Sequence, residues 1–368
     1  MQNTHGVPGG TYTYHSRRFG DIDLKIPQHP DVEEGRKLFA HYLWNAAVIA
    51  AQGIERASFD DAEAGNQALP PHEQSEENND EDGEEKKEGA AEWKWQRKYW
   101  DVRGKTVAEL GAGTALPSII AALSGALSVT ITDHPSSPAL TTGAIEQNVQ
   151  RNIVERLGPP EAEAAVADSG TSTAPTTSRS PATVRMSKSD SAVVVNVYGY
   201  TWGTTTMYLP SHYADCLWMP SQHVNLVKTI FHCLRPEQEE PLESSASHGA
   251  DQSCALVVAG FHTGREIVRH FFEVATGDYR IPSPPPSSSE IDARDIDRYG
   301  KKDESACLRA AEIFETDVNG LRRPWEPSRP GETEGQAKRW CVVAVLEYPG
   351  AKSNIALKPE TQSSLGIL

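Results

Sequence analysis

Apolar residues recur with two different periods in the first part of the chain. Residues 19–26 (FGDIDLKI) alternate, with three aliphatic side chains on one face, and this period of about two predicts a strand. Over residues 31–53 the apolar positions recur at three-to-four spacing, which predicts a long amphipathic helix with Asp31 as its cap. Trp44 falls on the apolar face of that predicted helix.

A regular succession of strands and helices follows further along the chain. Residues 106–110 predict a short strand, and residues 116–123 predict an apolar helix with Pro117 in its first turn. Residues 128–133 are rich in β-branched side chains and predict a second strand, followed by a second helix over 138–152. Strand and helix alternating in this order predict a parallel sheet with right-handed crossovers.

The same alternation resumes in the second half of the chain. Its strand and helix candidates are 192–197, 213–219, 222–234, 255–261 and 265–275. The last third adds strand candidates near 311–314 and 340–348, with no helical pattern between them. Two strands without a crossover helix indicate an antiparallel end to the sheet. We therefore expect one α/β domain.

Stretches rich in Pro, Ser and acidic residues interrupt this pattern, and their low apolar content predicts disorder. The expected organisation is a strand-helix cover (1–57), an acidic loop (58–92), a core domain (93–348) and a tail (349–368). Within the core domain, the expected disordered insertions lie near 157–191, 237–253, 281–304 and 324–337.

Composition narrows the class of protein. The net charge of −16 argues against nucleic-acid binding, although residues 73–88 alone hold nine acids and two lysines. No apolar run approaches the roughly 18 residues of a membrane span, and the first residues lack the apolar segment of a signal peptide. The five cysteines form no C-x-x-C pair, which disfavours disulfides and a zinc site. We expect a cytoplasmic monomer that binds neither metal nor membrane.

The segment with the clearest chemistry is residues 106–117 (TVAELGAGTALP). Gly111 and Gly113 stand where a strand must turn into a helix, and glycine lets a ligand approach the backbone closely there. Leu116 occupies the position of the third glycine in a dinucleotide fingerprint, so NAD and FAD are disfavoured. The lysine of a phosphate-binding P-loop is also absent from this segment.

Two acidic residues accompany the glycines. Glu109 comes just before them, and Asp133 ends the next strand, 22 residues after Gly111. A carboxylate at that strand end can accept both hydroxyls of a ribose, and a neighbouring acid suits a cofactor that carries an amino group. Together these features favour S-adenosylmethionine as the cofactor.

Four blocks of the sequence resemble the seven-β-strand S-adenosylmethionine-dependent methyltransferases. Within that family they are most similar to the lysine methyltransferase group, which includes fungal nicotinamide N-methyltransferase-like proteins and an enzyme acting on the N terminus and a nearby lysine of elongation factor 1A. The blocks are LWNA (43–46), ELGAGTALP (109–117) with ITDHP (131–135), YTWG (200–203), and ADCLWM (214–219) with His223. The resemblance implies a Rossmann-like class I fold whose sheet has seven mostly parallel strands and an antiparallel C-terminal end.

The residue pattern and the resemblance together give eight candidate cofactor-binding residues, which are Trp44, Glu109, Gly111, Ala112, Gly113, Asp133, Trp202 and Ala214. The resemblance implies that Trp44 borders the methionine part of the cofactor and that Trp202 flanks the adenine. It also implies that Ala214 offers backbone near the sulfonium. Packing in the core is the alternative interpretation for both tryptophans.

Methyl transfer to an amine requires the neutral amine, so a base or desolvation must help the substrate to lose a proton. The candidate catalytic residues are Asp215, Tyr200 and His223. For Asp215 a helix cap, and for His223 a surface position, are equally compatible with the sequence. Trp218 and Met219 are expected to lie in the core or in the wall of a substrate pocket.

The block at 214–219 departs from the family pattern. Family members usually carry a long apolar strand before it, whereas here Pro210 breaks the run and only 12 residues separate Trp202 from Ala214. We therefore expect a truncated central strand or a segment lost from the sequence.

The leading functional hypothesis is methylation of a lysine or N-terminal amine of a protein with a basic segment, such as an elongation factor. Methylation of a small amine such as a pyridine is the alternative within the same class of enzyme. An inactive, methyltransferase-like binding protein is the alternative from a different class.

Overall fold

A nine-stranded sheet is the centre of the protein in the computed structural model. The model describes residues 3–29, 40–59, 94–158, 183–188, 191–204, 212–214, 217–234, 253–277 and 307–348. Four short strands precede the sheet and form two antiparallel pairs, β1 with β4 and β2 with β3. These strands are β1 (Thr4–His5), β2 (Thr11–Ser16), β3 (Gly20–Lys25) and β4 (Leu43–Trp44).

The strands of the large sheet are β5 (Thr106–Leu110), β6 (Ser128–Asp133), β7 (Thr183–Lys188), β8 (Ser191–Gly199), β9 (His212–Ala214), β10 (Cys254–Gly260), β11 (Arg309–Thr316), β12 (Arg322–Pro324) and β13 (Cys341–Glu347). Their order across the sheet is β12-β11-β13-β10-β9-β5-β6-β8-β7. The five strands from β10 to β8 are parallel, whereas β13, β11, β12 and β7 join through antiparallel pairing.

This topology confirms the parallel centre and the antiparallel end expected from the sequence. The described sheet has nine strands where seven were expected, and the outermost strands are β7, with six residues, and β12, with three. The chain runs outward from β5 to β6 and β8, and then returns to the other side of β5 with β9 and β10. Such a reversal leaves a crevice at the carboxyl ends of the strands, where α/β proteins bind ligands.

Helices connect these strands and cover the sheet. They are α1 (Asn45–Ser58), α2 (Arg97–Trp100), α3 (Leu116–Leu123), α4 (Pro138–Thr141), α5 (Ala144–Val149), α6 (Glu155–Leu157), α7 (His223–Leu234), α8 (Arg265–Thr276) and α9 (Glu334–Ala337). A π-helical turn, Gln150–Val154, joins α5 to α6, and a 3₁₀ turn, Pro220–Gln222, precedes α7. The predicted helix over 138–152 is therefore interrupted. Within the described parts of the chain, every helix is too short or too polar to cross a membrane.

The helix predicted over residues 31–53 differs from the observed one. Helix α1 begins only at Asn45, because Leu43 and Trp44 form β4 and pair with β1. The backbone N–H of Asn45 also donates a hydrogen bond to the Asn3 carbonyl, 3.1 Å away. This pairing with a distant segment overrides the local helical period. The proposed cap, Asp31, lies outside the described residues.

Two of the four insertions expected to be disordered contain regular structure. Residues 183–188 form β7, which pairs with β8. In the segment 324–337, the Glu332 carboxylate accepts hydrogen bonds from two arginines, and helix α9 begins with a capping box. Charged residues that pair with each other can order a polar segment without many apolar residues. Residues 60–92, 237–252, 281–304 and the tail 349–368 lie outside the described residues.

The core occupies both faces of the sheet. Along β10 and β13 successive apolar side chains alternate between two buried clusters, one on each face. Every residue of β13 is buried. Strands buried on both faces have continuous apolar sequences, and those of β10 and β13 are CALVVAG and CVVAVLE. The sheet thus forms a rigid support for the loops at its carboxyl edge.

Candidate functional site

A cavity of about 260 Å³ lies at the carboxyl ends of the central strands. The loops after β5, β6, β8 and β10 contribute to it, together with the segment around β4 and the turn before α7. Its lining residues are Ala40, Tyr42, Leu43, Trp44, Ala47, Glu109, Gly111, Ala112, Gly113, Thr114, Asp133, His134, Tyr200, Thr201, Trp202, Trp218, Met219, Gln222 and His262.

The loop after β5 turns sharply through three left-handed residues. Gly111 has a φ of +69°, Gly113 of +55° and Ala115 of +63°. The amide of Ala115 donates to the Ala112 carbonyl at 2.7 Å, and the amide of Ala112 donates to the Thr132 carbonyl at 3.0 Å. Glycine adopts this backbone conformation at little cost, which explains the two glycines seen in the sequence. The loop is thereby fixed to the end of β6.

Asp133 joins this loop to the end of β6. One oxygen of its carboxylate accepts a hydrogen bond from the Gly113 amide at 2.8 Å, and the other accepts from the His134 amide at 2.7 Å. Burial raises the pKa of the Asp133 carboxyl, while the two backbone donors oppose that shift. The carboxylate both lines the cavity and holds the glycine loop in place.

Glu109 lies deeper in the same wall. Its carboxylate accepts hydrogen bonds from the Ser118 hydroxyl at 2.5 Å and from the Ser118 amide at 3.2 Å. Burial raises the pKa of Glu109 to about 8, the Ser118 hydrogen bonds oppose the shift, and the charge of Asp133 adds to it. A cation bound beside Glu109 would restore its charged form. We call Glu109, Gly111, Gly113 and Asp133 the glycine-acid wall.

Aromatic rings form another part of the lining. The indole of Trp44 stacks on the imidazole of His262, with ring centroids 4.4 Å apart and planes 24° apart. Tyr42 packs edge-on against the same indole, with centroids 5.7 Å apart. The expectation that Trp44 lies on the apolar face of a helix is wrong, because Trp44 precedes α1 and lines the cavity.

Trp202 lines the cavity from the loop that follows β8. This loop is held at two points. The amide of Tyr200 donates to the Asp133 carbonyl at 2.8 Å, and the amide of Gly203 donates to the Thr229 hydroxyl at 2.9 Å. The half-buried Trp202 side chain is therefore positioned next to the glycine-acid wall. We call Tyr42, Trp44, Trp202 and His262 the aromatic wall.

The remaining predicted site residues differ in whether the structure places them at the cavity. Tyr200 lines the cavity, but its hydroxyl donates to the Thr204 carbonyl at 2.7 Å. Ala112 also lines the cavity, and the backbone of Ala214 pairs with Val258 of β10. Asp215 lies outside the described residues. The central strand β9 is described over His212–Ala214, and the residues on either side, on which the expected truncation falls, lie outside the described residues.

His223 is buried and is not among the cavity-lining residues. Its Nε2 is 2.8 Å from the Leu217 carbonyl, and its Nδ1 is 2.7 Å from Nδ1 of His270. Burial lowers the pKa of His223 to about 4; the hydrogen bond with Leu217 opposes the shift, and His270 adds to it. The interpretation of His223 as a surface residue is wrong, and both of its ring nitrogens have partners within the fold.

Sequence reasoning missed several lining residues, among which Thr114 and His262 carry polar atoms without a hydrogen-bond partner among the described residues. His262 is the second residue after β10, just as Asp133 is the last residue of β6. Polar residues at the carboxyl ends of parallel strands often bind ligands, and this position could have marked His262 as a candidate. Trp218 and Met219 line the cavity, as one of their two predicted roles required.

Comparison with known proteins relates the first part of the chain to one family. Residues 24–157 match the family described as lysine methyltransferase. The chain is 29% identical over 154 residues to the protein N-terminal and lysine N-methyltransferase EFM7 of Gibberella zeae, which covers 38% of this chain and 46% of that protein. It is 35% identical over 114 residues to the Schizosaccharomyces pombe protein of the same name, covering 31% of this chain and 28% of that protein.

These matches span less than half the length of either curated relative. The family match over residues 24–157 includes β5, β6, the glycine-acid wall and Trp44. The resemblance to lysine methyltransferases inferred from the sequence is confirmed for this segment.

Proposed function

We propose that this protein is an S-adenosylmethionine-dependent methyltransferase whose acceptor is a lysine or N-terminal amine of another protein. The observation that carries the proposal is the hydrogen bond between the Asp133 carboxylate and the Gly113 amide, which unites the two parts of the motif in one cavity. The names of both relatives specify protein N-terminal and lysine methylation, and they suggest the acceptor class.

The residues of the glycine-acid wall fit this cofactor. The Asp133 carboxylate offers acceptors for the ribose hydroxyls, and the glycine loop lets the cofactor approach the backbone. The Glu109 carboxyl, neutral near pH 7 in the protein alone, is suited to face the amino group of the methionine part. Trp202 offers an aromatic face for the adenine.

When bound, the cofactor supplies a methyl group on a positively charged sulfur. The chain itself must align the acceptor with that methyl and keep water out. The indole of Trp44 presents an aromatic surface at the cavity, and such surfaces stabilise nearby cations. This arrangement suits both a sulfonium and an approaching ammonium group.

The strand order supports the same assignment. Without the two edge strands β7 and β12, the sheet has the order β8-β6-β5-β9-β10-β13-β11. We take these seven as the strands of a class I methyltransferase sheet. The net charge of −16 suits an acceptor with a basic segment, such as an elongation factor.

The decisive experiment is transfer of a labelled methyl group from S-adenosylmethionine to a cell extract by the full-length protein. A labelled protein band, absent with Asp133→Ala, is the expected result. A labelled small product without a labelled band would identify a small-molecule methyltransferase instead. No label above the Asp133→Ala background would overturn the proposed activity and leave a binding protein.

Calorimetry with S-adenosylhomocysteine tests the cofactor independently of turnover. We expect one binding site per chain. Absence of both heat and thermal shift at millimolar concentration would contradict the assignment, and binding of NAD under the same conditions would replace it.

A further inference from the structure

His262 is held precisely at the edge of the cavity. Phe261, just before it, is buried and stacks on Trp325, with ring centroids 5.8 Å apart. Arg265 follows His262 by three residues. Its guanidinium binds the carboxylates of Glu315 at 2.7 and 2.9 Å and of Glu332 at 2.5 and 3.1 Å. Anchors on both sides therefore fix the loop that carries the imidazole.

The imidazole itself is closely packed. One face stacks on Trp44, and a Cβ placed on Gly260 would come within 3.4 Å of the His262 Nδ1. Both ring nitrogens are buried, and neither has a hydrogen-bond partner among the described residues. A buried imidazole without partners is unfavourable, and a polar ligand entering the cavity can supply the missing partner. A rotation of the ring would turn a nitrogen toward the cavity that the ring lines.

His262 also lies at the acceptor end of the proposed site. In the sheet, β10 is three strands away from β6, which at about 4.8 Å per strand is roughly 14 Å. Asp133, at the end of β6, is assigned to the ribose. A side chain at the end of β10 therefore lines the cavity at a distance from the ribose site, beyond the glycine loop.

The two sequence-predicted candidate bases that the structure describes, Tyr200 and His223, are already engaged. The Tyr200 hydroxyl donates to Thr204, and both nitrogens of His223 have partners inside the fold. The His134 ring lines the cavity but is exposed and pairs with the Ser136 hydroxyl at 2.8 Å. Imidazole is the side chain most often used as a general base, and His262 provides one that is unengaged.

We propose that His262 is the general base that removes a proton from the substrate ammonium group. The inference rests on the proposed function. The proton passes from the ammonium to an unpaired imidazole nitrogen, and the lone pair that it leaves forms the new N–C bond to the methyl group. The C–S bond breaks with its electron pair remaining on sulfur, and the imidazolium then releases its proton to solvent.

The test compares His262→Phe with the wild-type protein. Phenylalanine keeps a ring against Trp44 but removes both nitrogens, so packing and chemistry are separated. At saturating cofactor we expect methylation of the labelled band to slow about a hundredfold or more, with the S-adenosylhomocysteine affinity changed less than about threefold. His262→Gln is the second variant if the phenylalanine variant does not fold. His15→Ala, at a histidine whose side chain is 78% exposed, is the matched control.

Methylation within about threefold of wild type in both His262 variants would overturn the proposal. A loss of S-adenosylhomocysteine affinity of about tenfold would also overturn it, because His262 would then belong to the cofactor site.

A second readout needs no turnover. The readout is the NMR spectrum of protein labelled at histidine Cε1 and saturated with S-adenosylhomocysteine. The His262 resonance is identified as the one that is missing from the spectrum of His262→Phe. Addition of methylammonium chloride should shift this resonance, and the shift should saturate. Wild-type protein that methylates nothing but shows this shift would disprove the proposed activity while retaining the amine contact. Absence of the shift would overturn the role of His262 whatever the activity.

Discussion

The two walls of the cavity are built in different ways. The glycine-acid wall comes from one continuous stretch, Glu109 to Asp133, and backbone hydrogen bonds within that stretch hold it together. The aromatic wall joins residues as distant as Tyr42 and His262, and ring stacking and remote anchors hold it. The first wall is a property of local sequence, whereas the second exists only in the folded protein.

This difference separates the expected consequences of mutation. A change in the glycine-acid wall should alter ligand binding or ionisation while the fold remains. A change in the aromatic wall can act through ligand contact or through the packing that assembles the wall. Four variants test this division.

Asp133→Ala should have the largest effect. Losing charge-assisted hydrogen bonds to a ribose removes about 1.5–3 kcal/mol, or roughly ten- to a hundredfold in affinity for S-adenosylhomocysteine. Calorimetry measures the affinity, and circular dichroism verifies that the variant is folded. Asp21→Ala, at a side chain that is 70% exposed, is the control. A folded Asp133 variant with unchanged affinity would remove this residue from the site.

Glu109→Gln should change how stability depends on pH in the protein without cofactor. Because burial raises the pKa of Glu109 to about 8, the unfolded chain loses this proton at lower pH than the folded chain does. The free energy of unfolding of the wild type therefore decreases as pH rises from about 4.5 to about 8. Glutamine keeps an acceptor for Ser118 but carries no charge.

We expect Glu109→Gln to be more stable than wild type by about 1–3 kcal/mol at pH 8, with little difference at pH 4.5. Urea unfolding at several pH values measures this difference. Identical pH profiles for the two proteins would show that Glu109 is ionised in the folded state.

Trp202→Ala should weaken S-adenosylhomocysteine binding by about 1–3 kcal/mol, by analogy with bases stacked on aromatic side chains, while Trp202→Phe retains most of the affinity. The melting temperature without ligand should change little, because Trp202 is only half-buried. A core tryptophan would behave differently, since its truncation costs about 3–5 kcal/mol of stability. A large decrease in melting temperature with unchanged affinity would assign Trp202 to the core.

Asn45→Ala should have the smallest effect. The Asn45 side chain is buried and lies 2.8 Å from Nε2 of His5, next to the β1-β4 pair that positions Trp44. We expect a loss of about 0.5–1.5 kcal/mol in stability and a few-fold loss in ligand affinity. Thr13→Ala, which removes a hydrogen bond to Asp23 in the β2-β3 pair, is the matched control. Equal ligand affinity in the two variants would show that β1 does not position the aromatic wall.

The comparison of the walls also explains what could be read from the sequence. Strands β5 and β6 and helix α3 were predicted with their observed bounds, and the glycines and acids between them line the cavity as expected. Here local backbone geometry and strand periodicity determine the structure. The information needed to place these residues lies within about 25 neighbouring positions.

The aromatic wall could be predicted only in part. Trp44 and Trp202 were found through the resemblance, but Trp44 was placed on a helix because its pairing partner, β1, lies about 40 residues away. His262 was missed because its one sequence signal, a position just after a predicted buried strand, does not show by itself that the side chain lines a cavity. Its significance comes from Trp44, which the fold brings into contact with it.

The position of β13 has a consequence for synthesis of the protein. This strand, the last one described, lies between β10 and β11 in the sheet. Strands β10 and β11 are synthesised first and cannot join each other through the sheet until β13 is inserted between them. While the ribosome is still producing residues before Cys341, the edges of β10 and β11 that β13 will cover are unpaired, and unpaired strand edges are sites of misassembly. A premature stop before that residue therefore does more than shorten the protein. It leaves an incomplete sheet with exposed edges, which chaperones must bind or proteases must degrade.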